Sequence, residues 1–280
     1  VTFGSLFSGI GGFDLGFQRA GLSLAWQCEN DPRCCEVLTK RFGVPIYGDI
    51  RHVESLPSVD LICGGFPCQD LSVAGSRAGL AGTQSRLWFE FHRVLQSTRP
   101  AWVVVENVPG VLSCRGGWDF AIILQGLVKC GYGVAWRILD SQYFGVPQRR
   151  RRIFLVGHLG DGRVAEVLFE PQGNYGSASE VQSARDNARP VAGTLNASGA
   201  GTSRTAGRAN EKDFIIPCQG TGARRLTPTE CTRLQGFPDD WNDCGADGVQ
   251  FSDTVRYRQF GNAVTVNVAE WIGKRLLTMS

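Results

Sequence analysis

The chain has 280 residues and is mildly basic, with 29 lysines and arginines against 26 aspartates and glutamates. Its hydrophobic fraction of 42% and charged fraction of 20% are typical of a soluble globular protein and exclude a disordered or fibrous one. No apolar run is long enough to cross a membrane, and residues 1–7 lack the pattern of a signal peptide, so we expect a cytoplasmic protein.

The ten cysteines form no Cys-x-x-Cys pair, and the chain has only three histidines. This composition argues against a zinc site, and we expect no bound metal. In a reducing compartment most of these thiols act as small hydrophobic side chains. A reactive cysteine must therefore be identified from its surroundings.

From residue 1 to about residue 157, short β-rich runs alternate with amphipathic stretches. This pattern is typical of a parallel sheet with helices on both faces. Strands are predicted at 2–7, 22–29, 44–47, 59–63, 101–106, 135–139 and 152–156. Helices are predicted at 13–20, 33–42, 85–98 and 118–130.

The character of the chain changes beyond residue 170. Between 171 and 210 the only large aliphatic residues are Val181, Val191 and Leu195, so this stretch cannot build its own core. It is either a disordered linker or a loop-rich surface that becomes ordered against a partner. Thr227 then has the features of a helix N-cap, which predicts a helix to residue 234, and a final helix is expected over 264–277.

Residues 7–12 read Phe-Ser-Gly-Ile-Gly-Gly directly after the first predicted strand. Glycines there let the backbone turn sharply and approach a ligand. Asp14 occupies the third glycine position of the dinucleotide fingerprint, which argues against a bound pyrophosphate. Glu29, at the end of the second strand, could accept hydrogen bonds from a ribose, and Asp49 could meet an adenine amino group. The set suggests a nucleoside cofactor without phosphates; the alternative is a tight turn with solvated carboxylates.

Cys68 follows the fourth predicted strand, in the sequence Gly-Gly-Phe-Pro-Cys-Gln. Open α/β sheets hold their ligands at the carboxyl ends of their strands, and Pro67 stiffens the approach to this cysteine. Residues 70–84 have the composition of a mobile lid. We therefore interpret Cys68 as a nucleophile, the alternative being a buried structural thiol, as expected for Cys63.

Glu106 ends the next strand and so reaches the same sheet edge as Cys68. A partly desolvated carboxyl group there can hold a proton near neutral pH and act as an acid. The alternative is a structural carboxylate that caps a helix or binds backbone amides.

Because strand residues alternate in direction, Arg150 and Arg152 are expected to share one side of the chain.

Together these motifs resemble the DNA (cytosine-5)-methyltransferases, in that family's linear order. Residues 7–12 are similar to its S-adenosylmethionine loop, 67–69 to its nucleophile motif, 106–108 to its acid motif and 148–152 to its Gln-x-Arg-x-Arg motif. Residues 225–238 and 259–264 resemble two later motifs. The resemblance implies an α/β fold: a Rossmann-like methyltransferase sheet with a second, smaller, loop-rich target-recognition domain.

The resemblance also implies a reaction. Cys68 would add to C6 of a cytosine flipped out of duplex DNA, and C5 would take the methyl group of S-adenosylmethionine, leaving S-adenosylhomocysteine. Glu106 would engage N3 and the exocyclic amine, and Arg152 the O2 edge of the base. The residues implied to support these groups are Gln69, Asn107 and Arg150.

On the cofactor, the resemblance implies Phe7 against adenine, Glu29 on the ribose and Asp49 on the adenine amine. The remaining implied cofactor positions are Gly9, Ile10, Gly11, Gly12, Asn30, Ile50, Pro67, Leu87, Asn262, Ala263 and Val264. Two positions depart from the family pattern: Asn30 stands where some members carry an aromatic residue, and Ser5 where many carry an acidic one.

The resemblance divides the chain into a catalytic and cofactor-binding domain at 1–169, completed by 256–280, and a small target-recognition domain with its hinge at 170–255. Residues 185–225 carry seven basic and three acidic side chains, which favours contact with phosphates. The implied DNA-reading residues are Ser72, Thr194, Leu195, Asn196, Ser198, Gly199 and Gly201. The expected partner is double-stranded DNA, bound by a monomer, and a cognate restriction endonuclease would act without touching it.

Other functions are compatible with parts of this pattern. A tRNA cytosine-5 methyltransferase shares these motifs but usually reads Pro-Pro-Cys, whereas Phe66 precedes Pro67 here. A NAD-dependent oxidoreductase could use the same sheet and Glu29, yet it leaves Cys68, Glu106 and Arg152 without a role. A catalytically silent DNA-binding protein would not need the nucleophile.

Overall fold

The computed structural model describes residues 1–67, 87–160, 162–169, 195, 215–217 and 223–279. Its centre is a seven-stranded sheet of order β3-β2-β1-β4-β5-β7-β6, and a separate hairpin pairs β8 with β9. The strands are β1 (Thr2–Leu6), β2 (Ser23–Cys28), β3 (Ile46–Tyr47), β4 (Leu61–Gly64), β5 (Trp102–Asn107), β6 (Tyr132–Asp140), β7 (Arg151–Leu159), β8 (Ile215–Pro217) and β9 (Ala223–Arg225).

The α-helices of the described part cover both faces of the sheet, as the sequence predicts. They are α1 (Gly12–Ala20), α2 (Pro32–Arg41), α3 (Leu87–Thr98), α4 (Trp118–Lys129), α5 (Ala165–Leu168), α6 (Pro228–Leu234), α7 (Asp253–Asn262) and α8 (Val266–Leu277). One apolar core lies between the sheet and α3 and α4, and a second lies between the sheet and α1, α5 and α8. The carboxyl ends of the central strands therefore lie between two packed layers of helices.

The direction of the last two strands corrects the sequence analysis. β1 to β5 pair in parallel, but β7 is antiparallel to both β5 and β6. Only a short connection, residues 141–150, separates β6 from β7, whereas a parallel pair needs a long crossover, usually a helix. The expectation of a wholly parallel sheet is therefore wrong at this end.

The predicted helix start at Thr227 is confirmed. Thr227 Oγ1 accepts a hydrogen bond from the Glu230 amide at 3.2 Å, and the Glu230 carboxylate accepts from the Thr227 amide at 2.7 Å. Helix α7, in contrast, was not predicted. It has a weak apolar face, since Phe260 is its only buried large hydrophobic side chain.

A third apolar core joins residues 231–266 to the amino-terminal part of the chain. It contains Phe237, Trp241 and Phe260 together with Ile10 and Val37. Trp241 Nε1 donates to the Ile10 carbonyl at 2.8 Å, so the stretch after α6 is held against the loop that precedes α1. The domain boundary at residue 170 stays a prediction, because the stretch 171–194 lies outside the described residues.

Among the described residues, no helix is long and apolar enough to cross a membrane. Within the same ranges, no group of three or more histidine, cysteine, aspartate or glutamate side chains is placed to hold a metal ion.

Asp14 is a carboxylic acid with no exposure to solvent, in the first turn of α1. Its Oδ1 accepts a hydrogen bond from Gln27 Nε2 at 2.9 Å, and its Oδ2 accepts from Ser5 Oγ at 3.1 Å. Burial raises the pKa of Asp14 from 3.8 to about 6, against the opposing effect of these hydrogen bonds. Ionising this group in the folded protein is therefore unfavourable.

The pH dependence of stability follows from that shift. Because the folded pKa lies above the unfolded one, the protonated Asp14 stabilises the fold fully below pH 3.8, and about 3 kcal/mol is lost as pH rises through 6. We expect Asp14→Asn to match the wild type near pH 4 and to exceed its unfolding free energy increasingly up to pH 7. Urea unfolding between pH 4 and 8 measures this, with Asp253→Asn on the surface as control. A constant difference between Asp14→Asn and wild type across that range would contradict the assignment.

Candidate active site

Phe7 has a left-handed backbone with φ of 54°, which is unusual for a residue with a bulky side chain. Its half-buried ring stacks on Phe91 of α3, with ring centroids 6.4 Å apart. Strained backbone of this kind collects at ligand sites when the surrounding structure enforces it. The Phe91 support was missed in the sequence because a helical phenylalanine is indistinguishable there from a core residue.

The glycines of residues 7–12 have different surroundings. At Gly9, with φ of 58°, an added Cβ would meet nothing within 4 Å, so this glycine faces open space. A Cβ at Gly11 would lie 2.4 Å from the Phe42 ring, and one at Gly12 would lie 2.3 Å from the Val264 carbonyl oxygen. The two later glycines thus allow close packing against protein, and Gly12 brings the segment around Val264 beside the loop.

Glu29 lies just beyond β2, and its carboxylate is held by three backbone amides. It accepts hydrogen bonds from Gly9 at 2.7 Å, from Asn30 at 2.9 Å and from Asp31 at 2.8 Å. Burial raises the pKa of Glu29, and these hydrogen bonds oppose the rise. Glu29 therefore fixes the loop at Gly9, and it lies at the carboxyl end of β2, as the sequence predicts.

Asp49 caps the short 3-10 turn that follows β3 and accepts a hydrogen bond from the Arg51 amide at 3.0 Å. The Arg51 guanidinium binds the same carboxylate and lowers the pKa of Asp49. The neighbouring Ile50 side chain belongs to the first core and is 3% exposed. The side chains of Ile10 and Ala263 are buried as well. The burial of Ile10, Ile50 and Ala263 therefore gives no support for a side-chain contact with a cofactor.

The loop that is predicted to carry the nucleophile begins beside Glu106. Phe66 is buried with its ring 5.6 Å from that of Trp88, which holds the described start of this loop against α3. A Cβ added at Gly65 would lie 2.8 Å from Glu106 Oε2, so the loop backbone approaches the carboxylate closely. Pro67 ends this described stretch, and Leu87 resumes the chain; Cys68, Gln69 and Ser72 lie outside the described residues.

Glu106 and Arg152 form an ion pair at the sheet edge, with Arg152 Nε 3.0 Å from Glu106 Oε1. Their side chains are only 12% and 15% exposed. Burial raises the pKa of Glu106, while the positive charges of Arg152 and Arg150 act in the opposite direction. The result is a carboxyl group that can take up a proton more readily than a surface glutamate.

Asn107 and Arg150, which the family resemblance implies as supports for Glu106 and Arg152, are both buried. Asn107 Oδ1 accepts from the Val108 amide at 2.7 Å, and its Nδ2 has no hydrogen-bond partner among the described residues. Arg150 directs its guanidinium to the carbonyl oxygens of Leu195, Gly261 and Ala263.

The predicted recognition loop is largely outside the described residues, as Thr194, Asn196, Ser198, Gly199 and Gly201 all are. Leu195 is described, and its side chain belongs to the third core with 7% exposure. An aliphatic group gains more from burial against Phe237 and its neighbours than from contact with water, and a role of Leu195 in reading bases stays a prediction.

Cys63 behaves as the structural thiol that the sequence predicts. It lies on β4 with no exposure, and burial raises its pKa well above the ordinary value. Such a thiol has little thiolate and little reactivity.

The family model described as C-5 cytosine-specific DNA methylase matches the chain in two overlapping stretches, residues 1–188 and 169–278. The chain belongs to this family. It is accordingly a DNA (cytosine-5)-methyltransferase, and its reaction is sequence-specific methylation of cytosine at C5.

Its relatives include the Type II methyltransferase M2.BsuMI of Bacillus subtilis (strain 168), which is 35% identical over 97% of this chain and 74% of its own length. The Type II methyltransferase M.MspI of Moraxella sp is 31% identical over 98% of this chain and 70% of its own. These relatives support the DNA methyltransferase interpretation and not the tRNA enzyme, the oxidoreductase or the silent binding protein.

Solved structures confirm the Rossmann-like methyltransferase fold. The Entamoeba histolytica methyltransferase EhMeth superposes with a TM-score of 0.71 at 17% identity, covering 100% of this chain and 98% of that one. The S. pombe Dnmt2 methyltransferase gives a TM-score of 0.70 at 18% identity, covering 100% and 99%.

The contact between Gly65 and Glu106 gives a test of the site geometry. In Gly65→Ala the new methyl group must displace the Glu106 carboxylate, which Arg152 holds in place, so we expect a loss of stability of about 1–3 kcal/mol. Displacement of a reacting group by an ångström lowers turnover, here by about 10- to 100-fold. Steady-state methylation and thermal unfolding measure the two effects.

Gly162→Ala is the matched control, because a Cβ there meets nothing within 4 Å. A Gly65→Ala enzyme with the turnover of this control would show that the loop does not constrain Glu106.

Proposed function

We propose that this methylase uses S-adenosylmethionine as methyl donor and Cys68 as nucleophile, and that the Glu106–Arg152 pair holds the target cytosine. The observation that carries the proposal is that ion pair, buried at the carboxyl edge of the sheet with the nucleophile loop against it. A buried pair that is directional and partly exposed on one side suits a polar, planar base.

The residues around the loop 7–12 fit a nucleoside with a sulfonium side chain better than a dinucleotide. Glu29 offers a carboxylate to a ribose, Phe7 offers a half-buried ring, and Gly9 leaves open space between them. In the first turn of α1, the buried Asp14 stands at the third glycine position of the dinucleotide fingerprint, which argues against a pyrophosphate at that helix end. When bound, S-adenosylmethionine supplies an electrophilic methyl group.

The chemistry of the base follows from the side chains. The Cys68 thiolate forms a bond to C6, the C5–C6 double bond opens, and its electrons move towards N3, where Glu106 donates a proton. C5 thereby becomes nucleophilic and is methylated. A base then takes the C5 proton, which restores the double bond and expels the Cys68 thiolate, while N3 returns its proton to Glu106.

Arg152 has two effects in this scheme. Its charge opposes the rise in the pKa of Glu106 that burial causes, and its guanidinium can donate to the O2 oxygen while it holds the carboxylate. We propose that the recognition segment, residues 171–223, contacts DNA phosphates and base edges, that the enzyme acts as a monomer, and that any cognate endonuclease acts without touching it.

Direct mapping of the product tests the function. The protein is incubated with labelled S-adenosylmethionine and either duplex DNA or tRNA, and modified cytosines are located by sequencing. Label at C5 of cytosine in a defined duplex sequence is the expected result, and label in tRNA alone would reject the proposal.

Cys68→Ala should abolish methyl transfer while leaving S-adenosylmethionine binding within about twofold, well under 1 kcal/mol, because the thiol acts on the base. Covalent trapping on a duplex containing 5-fluorocytosine, whose C5 fluorine cannot leave as a proton, should also disappear. Cys63→Ala, which removes a buried thiol on the adjoining strand, serves as control and should cost about 1 kcal/mol of stability only. Trapping that persists without Cys68 would place the nucleophile elsewhere.

Glu106→Gln should slow methylation by about 10²–10⁴ with little change in duplex affinity, since a positioned acid contributes a factor of this size. The wild-type rate should fall as pH rises through the raised pKa of Glu106, because the proton donor is then lost, whereas the residual rate of the variant should lack this step. Single-turnover rates between pH 5 and 9 separate the two profiles, and a wild-type rate in the variant would return Glu106 to a structural role.

A further inference from the structure

Arg150 is a buried arginine that binds backbone rather than a carboxylate among the described residues. It is 1% exposed. Its Nη1 donates to the Leu195 carbonyl at 2.9 Å, and its Nη2 donates to the Gly261 carbonyl at 3.0 Å and the Ala263 carbonyl at 2.8 Å. One guanidinium thus joins the start of β7 to two stretches that are distant in sequence.

Both stretches adjoin functional parts of the molecule. Leu195 lies inside the recognition segment, and its side chain is packed in the third core. Gly261 and Ala263 flank Asn262 at the carboxyl end of α7, next to Val264, which Gly12 allows close to the loop 7–12. A planar guanidinium fixes the direction of each hydrogen bond, so the three carbonyls have one favoured arrangement around it.

The backbone of Arg150 is equally constrained. Its amide donates to Asp140 Oδ1 at 3.0 Å, and its carbonyl accepts from the Ser141 amide at 3.1 Å. Ser141 Oγ lies 2.9 Å from Thr265 Oγ1, which in turn donates to Gln235 Oε1 at 2.8 Å. This buried polar chain connects Arg150 to the end of α6 and the start of α8, so the guanidinium cannot shift alone.

We propose that Arg150 is a positioning residue for sequence discrimination: it docks the recognition segment at Leu195 against the catalytic edge. Arg152, two residues later, pairs with Glu106, so the docked segment and the base-holding pair are connected through one short stretch of backbone. Displacement of the recognition segment would then also displace the Glu106–Arg152 pair. This inference rests on the proposed function of the segment.

The test measures discrimination rather than activity alone. The wild-type target site is first mapped in a host without cytosine methylation, and kcat/KM is then measured on that site and on duplexes changed by one base pair. The variants are Arg150→Lys, Arg150→Met, Leu195→Ala and the double variant Arg150→Lys with Leu195→Ala.

Arg275→Met is the matched control. Arg275 of α8 also donates to three backbone carbonyls, those of Glu166, Val167 and Phe169, but beside α5 in a different part of the chain. Its loss therefore reports what the removal of any three-carbonyl contact does to the fold and to the rate.

We expect the ratio of kcat/KM between the target and the altered sites to fall at least about fivefold in the Arg150 variants and in Leu195→Ala, the size of an ordinary coupling between sites. It should stay within about twofold of wild type in Arg275→Met. The ratio in the double variant should fall no further than in the poorer single variant, because both changes disrupt the same contact between Arg150 and the recognition segment. Should Arg150→Met fail to fold, Arg150→Lys and Leu195→Ala carry the same test.

An unchanged ratio in Arg150→Lys and Leu195→Ala, with kcat lowered equally on all duplexes, would overturn the inference, as would an equal loss in Arg275→Met or multiplicative effects in the double variant. Failure of the proposed function of the segment is distinct, since exchanging residues 171–223 for those of a relative would then leave the target site of a folded, active chimera unchanged.

Discussion

The antiparallel direction of β7 is the constraint on which the active site depends. The amino end of an antiparallel strand lies at the carboxyl edge of its parallel neighbours, so the start of β7 meets the end of β5. Glu106 is opposite Phe154 in this register, and Arg152, two residues before Phe154, projects from the same face as its diagonal neighbour. Were β7 parallel, Arg152 would lie at the far edge of the sheet.

Burial gives this pair its chemical character. The carboxylate of Glu106 is withdrawn from water, and its charge is compensated by Arg152 at 3.0 Å and by the more distant Arg150. Removing one partner from such a pair leaves an uncompensated buried charge, which is far more costly than losing a surface ion pair. The proposed contact with the base and the stability of the fold therefore involve the same pair, and substitutions there must be tested for both.

The sequence predicted what is decided locally. The ends of β4 and β5, the capping box at Thr227 and the structural burial of Cys63 all follow from residue type and short-range pattern, and the structure agrees. Contacts made across long stretches of chain were not predicted. Arg150 and Leu195 are 45 residues apart, Arg150 and Gly261 are 111 apart, and no periodicity indicates that a charged side chain will be directed to backbone carbonyls. Sequence alone also does not show that Phe42 and Val264 fill the space beside Gly11 and Gly12, and a ligand contact at these two glycines stays a prediction.

The approach of Val264 to Gly12 has a consequence for biosynthesis. The loop 7–12 leaves the ribosome first, but the segment that closes against it is made about 250 residues later, which at 5–20 residues per second is a delay of roughly 12 to 50 seconds. During that interval Ile10 and Val37 lack the partners from residues 231–266 that bury them in the finished protein. The nascent chain therefore exposes these apolar side chains beside the loop 7–12 until residues 231–266 have been made.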